Sequence, residues 1–389
     1  MLKATQTRGS KRQVLSRYWL ILTILLSVTV LAVSSIGRAD GDRDNDNRRG
    51  LWVANGGGPN VLEFSSLQFN RNGVVSSSPH RVNASNVFVN PQDTVFDRAG
   101  NLWVVDGGDG VSKGEGVFKF TRAQINNLGA IPNPTPVFAI TNSGGQPGFV
   151  FPQFAVFDRA GDLFVEDTGG NTIDGYSAQQ LLLFNGIGLK PACLYKSAAF
   201  NGPLGAIFDT ANNLYVAQNG DSSIIRLKAT DLSLTNPKCS LGPVNLTPDV
   251  ILSSNHSTPP SINGPWGLAF AKNGNLWVSN EQNVKPAASG TGTLVVFAAK
   301  DIIKTGTPTP LVTLTSTTIG GLNTIDDPQG ISFNKFGDLA VANDGNSTIA
   351  GFSSFQIIKS GSPVPRVFFA GKTTLLDAPT GLIFGPDVR

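Results

Sequence analysis

Histidine is nearly missing from this chain, with two residues in 389, His80 and His256. Both stand near proline in polar stretches and read as solvated loop residues. A histidine-based zinc centre or a Ser-His-Asp triad therefore has little to be built from. Cysteine is equally scarce, with only Cys193 and Cys239. They form either one bridge or two free buried thiols. Methionine occurs once and charged residues make up 15%. No G-x-G-x-x-G leads from a strand into a helix, and no phosphate-binding loop is present. The Gly-Gly pairs at Gly56–Gly58, Gly107-Gly108 and Gly169-Gly170 lie between strands and read as turn glycines. What is abundant is glycine, at 44 residues, within a chain that is 40% hydrophobic. That balance points to many short strands and tight turns around a large core.

One long apolar run, YWLILTILLSVTVLAV at Tyr18–Val33, follows Lys3, Arg8, Lys11, Arg12 and Arg17. Gly37-Arg38-Ala39 then offers a small-x-small cleavage site. Residues 1–39 are expected to be a secretory signal peptide or, if retained, a membrane anchor; the run is short for a full span. They hold six basic residues and no acid, so the whole-chain net charge of +3 becomes −3 without them. The basicity belongs to the leader, and no nucleic-acid surface is expected. The membrane is expected to be reached only through this segment, if it stays uncleaved. The protein is thus expected to be extracytoplasmic, either periplasmic or secreted. Residues 40–50, DGDRDNDNRRG, read as a charged linker; an EF-hand loop would need Gly and Glu where Asn45 and Leu51 stand.

The rest of the chain repeats itself. FDRAGNLWVVD at Phe96–Asp106 is nearly rewritten as FDRAGDLFVED at Phe157–Asp167. A Pro-x-x-x-x-Phe element occurs six times, starting at Pro91, Pro152, Pro203, Pro265, Pro328 and Pro379. Seven residues beyond each of the first five Phe lies the centre of a second apolar run, as in Phe96/Trp103 and Phe157/Phe164. Such a constant offset predicts a hairpin in fixed register. The turns DRAGN, DRAGD, DTANN, AKNGN and NKFGD carry Gly or Asn fourth, suited to a left-handed turn residue. A third element, such as FSSLQF at Phe64 or FTRAQI, predicts a strand running into one capped helical turn. A proline and an outer strand follow, at Pro79, Pro136, Pro191, Pro248, Pro310 and Pro365.

Four strands per unit, repeated radially, predict an all-β fold: a six-bladed β-propeller over residues 51–389 with four-stranded blades. Each blade has two apolar faces that only its neighbours can cover. LWVAN at Leu51–Asn55 lacks a first strand before it, and Pro379–Phe384 lacks a second strand after it. Joined, the C-terminal strand and the N-terminal blade close the ring; a solenoid would not need such complementary ends.

The pattern P-x-G-[LI]-x-F-[DN]-x-x-G-[ND]-L-[WYA]-V-[AS]-N resembles the NHL-type repeats of secreted bacterial six-bladed propellers, from Leu51 to Phe384. That resemblance implies a binding or scaffold module for a protein or a small polar ligand. The chain more distantly resembles the gluconolactonase and regucalcin-like propellers, which implies a calcium-assisted lactonase or esterase. Fold alone does not choose between them.

The second strands end in Asn55, Asp106, Asp167, Gln218, Asn280 and Asn343. The first strands begin with Gln92, Asp93, Gln153, Trp266 and Gln329. Together they are expected to ring one channel mouth. Occurring once in every blade, the strand-end residues read either as turn holders that bond the following Gly-rich loop or as a ligand ring. In the second reading Asp106, Asp167, Asn280 and Asn343 give the hard oxygen donors calcium needs, with Glu166 or Glu281 as added charge or base. Cys193 lies in an outer strand and Cys239 in an insertion that is expected to fold back onto the preceding blade. A Cys193–Cys239 disulfide suits an exported chain.

Overall fold

The computed structural model describes residues 50–109, 114–129, 133–141, 148–183, 188–255, 260–281 and 292–386. The expected signal or anchor, the linker up to residue 49 and His256 lie outside the described residues. The described residues lie in one compact unit, residues 48–389, which carries the fold. None of the described helices is long and apolar enough to cross a membrane.

That unit is a six-bladed β-propeller. Blade 1 runs Pro379–Phe384, Leu51–Asn55, Asn60–Phe64, Arg81–Asn83, so the C-terminal strand is indeed its inner strand. Blade 2 begins with Pro91–Phe96 and Leu102–Asp106, blade 3 with Pro152–Phe157 and Leu163–Asp167, and blade 4 with Pro203–Phe208 and Leu214–Gln218. Blade 5 begins with Pro265–Phe270 and Leu276–Asn280, and blade 6 with Pro328–Phe333 and Leu339–Asn343. Each inner strand touches the inner strand of the next blade, and the last meets the first.

Local chemistry explains the repeat. In the inner hairpins Gly100, Gly161, Asn212, Gly274 and Gly337 all adopt positive φ, the left-handed position the turns were expected to need. The first turn residue of blade 2, Asp97, accepts the N–H groups of Ala99 and Asn101 through one oxygen. The last, Asn101, accepts Arg122 N–H and so holds the helical turn after the third strand. Asp162, Asn213, Asn275 and Asp338 do the same for Ala178, Ala229, Ala299 and Ser354. The glutamine of the third element has two tasks. Gln124 closes a capping box with Thr121, and its amide donates to Thr135 O just before Pro136. Gln68, Gln180 and Gln356 repeat the second bond to Ser78, Lys190 and Val364.

The hydrophobic core is six cores, one between each pair of neighbouring blades. The evenly spaced aromatic residues meet across these seams, not within their own hairpin. Trp52 packs on Phe96 of the next blade, Trp103 on Phe157, Phe164 on Phe208, Tyr215 on Phe270 and Trp277 on Phe333, with centroids 5.3–6.1 Å apart. Within a hairpin Phe96 faces Leu102.

The outer edges of blades 3, 4, 5 and 6 are covered by straps from the following blade. Gly73–Val75, which belongs to blade 1, pairs in parallel with Val367–Phe369 of blade 6. Val244–Asn245 pairs likewise with Tyr195–Lys196 of blade 3. Shorter bridges join Leu252 to Gly306 and Leu314 to Gly361. The straps occupy N–H and C=O groups that an open edge would offer to another chain. Cys239 in the blade 4 strap is disulfide-bonded to Cys193 of blade 3, so the insertion folds back onto the preceding blade.

Candidate functional site

The six strand-end residues are buried, at 0–3% exposure, and each is already engaged. Asp106 accepts Val89 N–H and Asn90 N–H at 2.9 Å and Gly108 N–H at 2.8 Å. Asp167 accepts Val150 and Phe151 N–H. Gln218 accepts Asn201 N–H, Asn280 accepts Asn263 N–H, Asn343 accepts Asp326 N–H and Asn55 accepts Asp377 N–H. In every blade one donor is the residue two before the inner-strand proline, and in blades 2 and 3 the residue just before the proline donates as well. These side chains therefore fix the chain as it enters each blade, and in blades 2 and 3 they also hold the following Gly-rich loop through Gly108 and Gly170 N–H, as the spacing suggested. Burial raises the Asp106 and Asp167 carboxyls, and their main-chain N–H partners work against that rise.

The four residues expected to hold calcium, Asp106, Asp167, Asn280 and Asn343, each spend a side-chain oxygen on main-chain N–H groups of the entering chain. Among the described residues no group of three or more His, Cys, Asp or Glu is placed to hold a metal ion. Glu281 stays apart, with Asn219 against its carboxylate and its own N–H on Gly264 O. His80 is an exposed loop residue.

More informative are the carboxylates that break the repeat. At the third position of the inner strand the blades place Phe154, Gly205, Gly267, Gly330 and Gly381, but blade 2 places Asp93. The glycines let neighbouring inner strands approach; a Cβ on Gly330 would lie 2.5 Å from Thr380 O. Asp93 lines the resulting channel cavity of about 250 Å³ with Thr94 and Phe154. It accepts Ala155 N–H, and burial pushes its carboxyl up to about 7. At the fourth position of the second strand stand Ala54, Val105, Ala217, Ser279 and Ala342, but blade 3 has Glu166. Glu166 is fully buried, and neither carboxylate oxygen bonds to another residue. Burial, then the nearby charges of Asp93 and Asp174, hold it well above the usual carboxylate range.

The third exception is Asp174. Its column in the third strands otherwise holds Leu62, Phe118, Ile225, Val295 and Ala350. Asp174 is 6% exposed and accepts Thr172 Oγ1 at 2.9 Å. Burial, and then the adjacent Asp167, push it up to about 7. It opens on a cleft of about 360 Å³ between blades 2 and 3, within the size range of small-molecule sites. Asp167, Thr172 and Tyr176 share the polar wall, and Ile140, Phe149 and Leu194 supply apolar surface. Lys190, Lys196 and Cys239 also line it.

Asp93, Asp167 and Glu166 were visible in the sequence as mouth residues; Asp174 was not. Its signal is the one acid in an apolar column, which appears only when third strands are aligned across blades. The other expected mouth residues form partial links. Gln153 bonds Gln92, Trp266 packs on Phe154, and Trp266 Nε1 and Gln329 Oε1 are buried without a partner.

No protein-family model and no curated protein matches the chain. Solved structures do. A Bacteroides caccae protein of unknown function aligns with TM-score 0.55 at 10% identity, over 87% of this chain and 99% of that one. A chain of a nidogen/laminin complex aligns with TM-score 0.50 at 12% identity, over 88% and 100%. A putative 6-phosphogluconolactonase from Bacteroides fragilis aligns with TM-score 0.48 at 14% identity, over 88% and 99%. At these identities the likeness is one of fold, and the fold it shows is the six-bladed propeller.

Proposed function

We propose that the protein is an exported binding module that takes a small polar ligand into the cleft between blades 2 and 3. The observation that carries this reading is Asp174, a buried carboxylate in a column that is apolar in every other blade, opening on a cavity with an apolar wall. A few convergent polar groups in an otherwise apolar concavity are the usual makings of a small-ligand site. Export is supported by the basic-then-apolar N-terminus and by the disulfide, which belongs to an oxidising compartment. The test is ligand-detected NMR with a fragment library on the purified protein and on Leu194→Trp, which enlarges a half-buried residue of the cleft wall opposite Asp174. Hits that vanish in Leu194→Trp, with its melting temperature kept, support the reading. Hits that persist in it move the site elsewhere, to the channel mouth or to a protein-binding face.

A calcium-assisted hydrolase of a lactone or small ester is separated by a second titration. Saturable Ca²⁺ binding lost in Asp106→Ala and Asp167→Ala, together with lactone turnover, would replace the binding-module reading. Heat of binding indistinguishable from buffer, with both variants less stable, supports the loop-holding role of those residues.

A further inference from the structure

We propose that the cleft selects a small organic cation, an ammonium group on a compact apolar body, with Asp174 as its counter-ion. This rests on the cleft being the binding site. A buried carboxylate is expensive unless it is paired or loses its charge. Asp174 has one hydrogen bond, from a neutral hydroxyl, and among the described residues it makes no ion pair. Lys190 and Lys196 line the same cleft without neutralising it. Asp167 adds a second negative group on the same wall, and its oxygens are already held by Val150 and Phe151 N–H. Asp167 therefore shapes the field and stays in place, while Asp174 is left to meet a ligand. An ammonium supplies both the missing charge and N–H donors, and charge-assisted bonds of this kind are the stronger ones. The Phe149 and Tyr176 rings, 6.2 Å apart, line the cleft and suit the apolar part of an amine. An anion could meet Lys190 and Lys196 but would do so beside two carboxylates, and a neutral alcohol would leave Asp174 without a counter-ion.

Three probes of nearly one shape decide the matter: 2-phenylethylamine, 2-phenylethanol and 3-phenylpropionate, titrated by calorimetry at about pH 8, where Asp174 is ionised. The amine is expected to bind about ten-fold or more tighter than the alcohol, the scale of one buried charge-assisted contact, and the acid not at all. Asp174→Asn should abolish that preference and leave the alcohol's affinity unchanged. Asp174→Leu restores the residue type of the other blades. It should keep the melting temperature at or above that of the parent while losing the amine, which separates lost recognition from lost folding. Equal binding of amine and alcohol, both blocked by Leu194→Trp, would overturn the cation assignment and leave the cleft standing. Binding of any probe that Leu194→Trp does not block, or no binding by all three, would overturn both.

Discussion

Asp106 replaces three solvent contacts of main-chain N–H groups with one carboxylate. Asp106→Ala strands those donors in a buried place, which should destabilise the fold by about 1–3 kcal/mol. Urea unfolding measures this, and an unchanged midpoint would deny the loop-holding role. Asp93 and Asp174 behave differently. Folded, they keep their protons to about 7; unfolded, they lose them near the ordinary 3.8. Between those limits the folded state binds more protons than the unfolded one. Their contribution is therefore full below about pH 4 and is lost as pH rises through about 7. The groups that act on Asp174 are Asp167 beside it, Glu166 behind it and the Thr172 hydroxyl. Lys190 and Lys196 stand in the cleft wall. The expected result is a urea midpoint that falls from about pH 5 to about pH 8, with a shallower fall in the Asp93→Asn, Asp174→Asn double variant. A midpoint that rises over that range would contradict the assignment.

Strand boundaries were legible because proline, glycine and asparagine punctuate them. All six inner strands run from the expected proline to the expected phenylalanine. The helical turn was legible from Ser or Thr with Gln three residues on, and capping boxes at Ser65 and Thr121 answer that spacing. The reach of the same Gln to the carbonyl before the next proline was not legible, since it depends on where the chain returns. Gln124→Ala removes both bonds and should cost about 1–2 kcal/mol, on the scale of an N-cap loss. Denaturation curves that match the parent within error would count against that double role. The straps escaped the sequence for a related reason. Gly73–Val75 carries no pattern of its own and becomes a strand only against blade 6. Periodicity within a strand reports which face is covered, not which distant edge a segment will lie along. Asp174 was hidden similarly, because one acid in a strand of five looks like alternation until its column is compared.

At the scale of the molecule, closure and strapping turn six small sheets into one unit. The Cys193–Cys239 bridge spans 46 residues and ties the blade 4 strap to blade 3 beside the cleft. In the chain-entropy account it contributes about 4 kcal/mol. Reduction under native conditions should lower the melting temperature by several degrees, and the Cys193→Ala, Cys239→Ala variant should match the reduced protein. Melting that is indifferent to reductant would mean the strap's other contacts suffice.

The strand Leu51–Asn55 and the strap Gly73–Val75 both come from the start of the propeller, yet one waits for Pro379–Phe384 and the other for Val367–Phe369. In a chain that emerges from its N-terminus, the residues made first are the last to find their partners. The middle blades can assemble on nearest neighbours, but the ring locks only after the final strand has emerged. Until then two unpaired ends of one sheet exist at once, about as far apart in sequence as the chain allows, and such distant pairing is the slow and aggregation-exposed part of folding. Closure of the ring is thus timed by the strand Pro379–Phe384, and a chain cut short before it loses its seal, not merely a sixth of its wall.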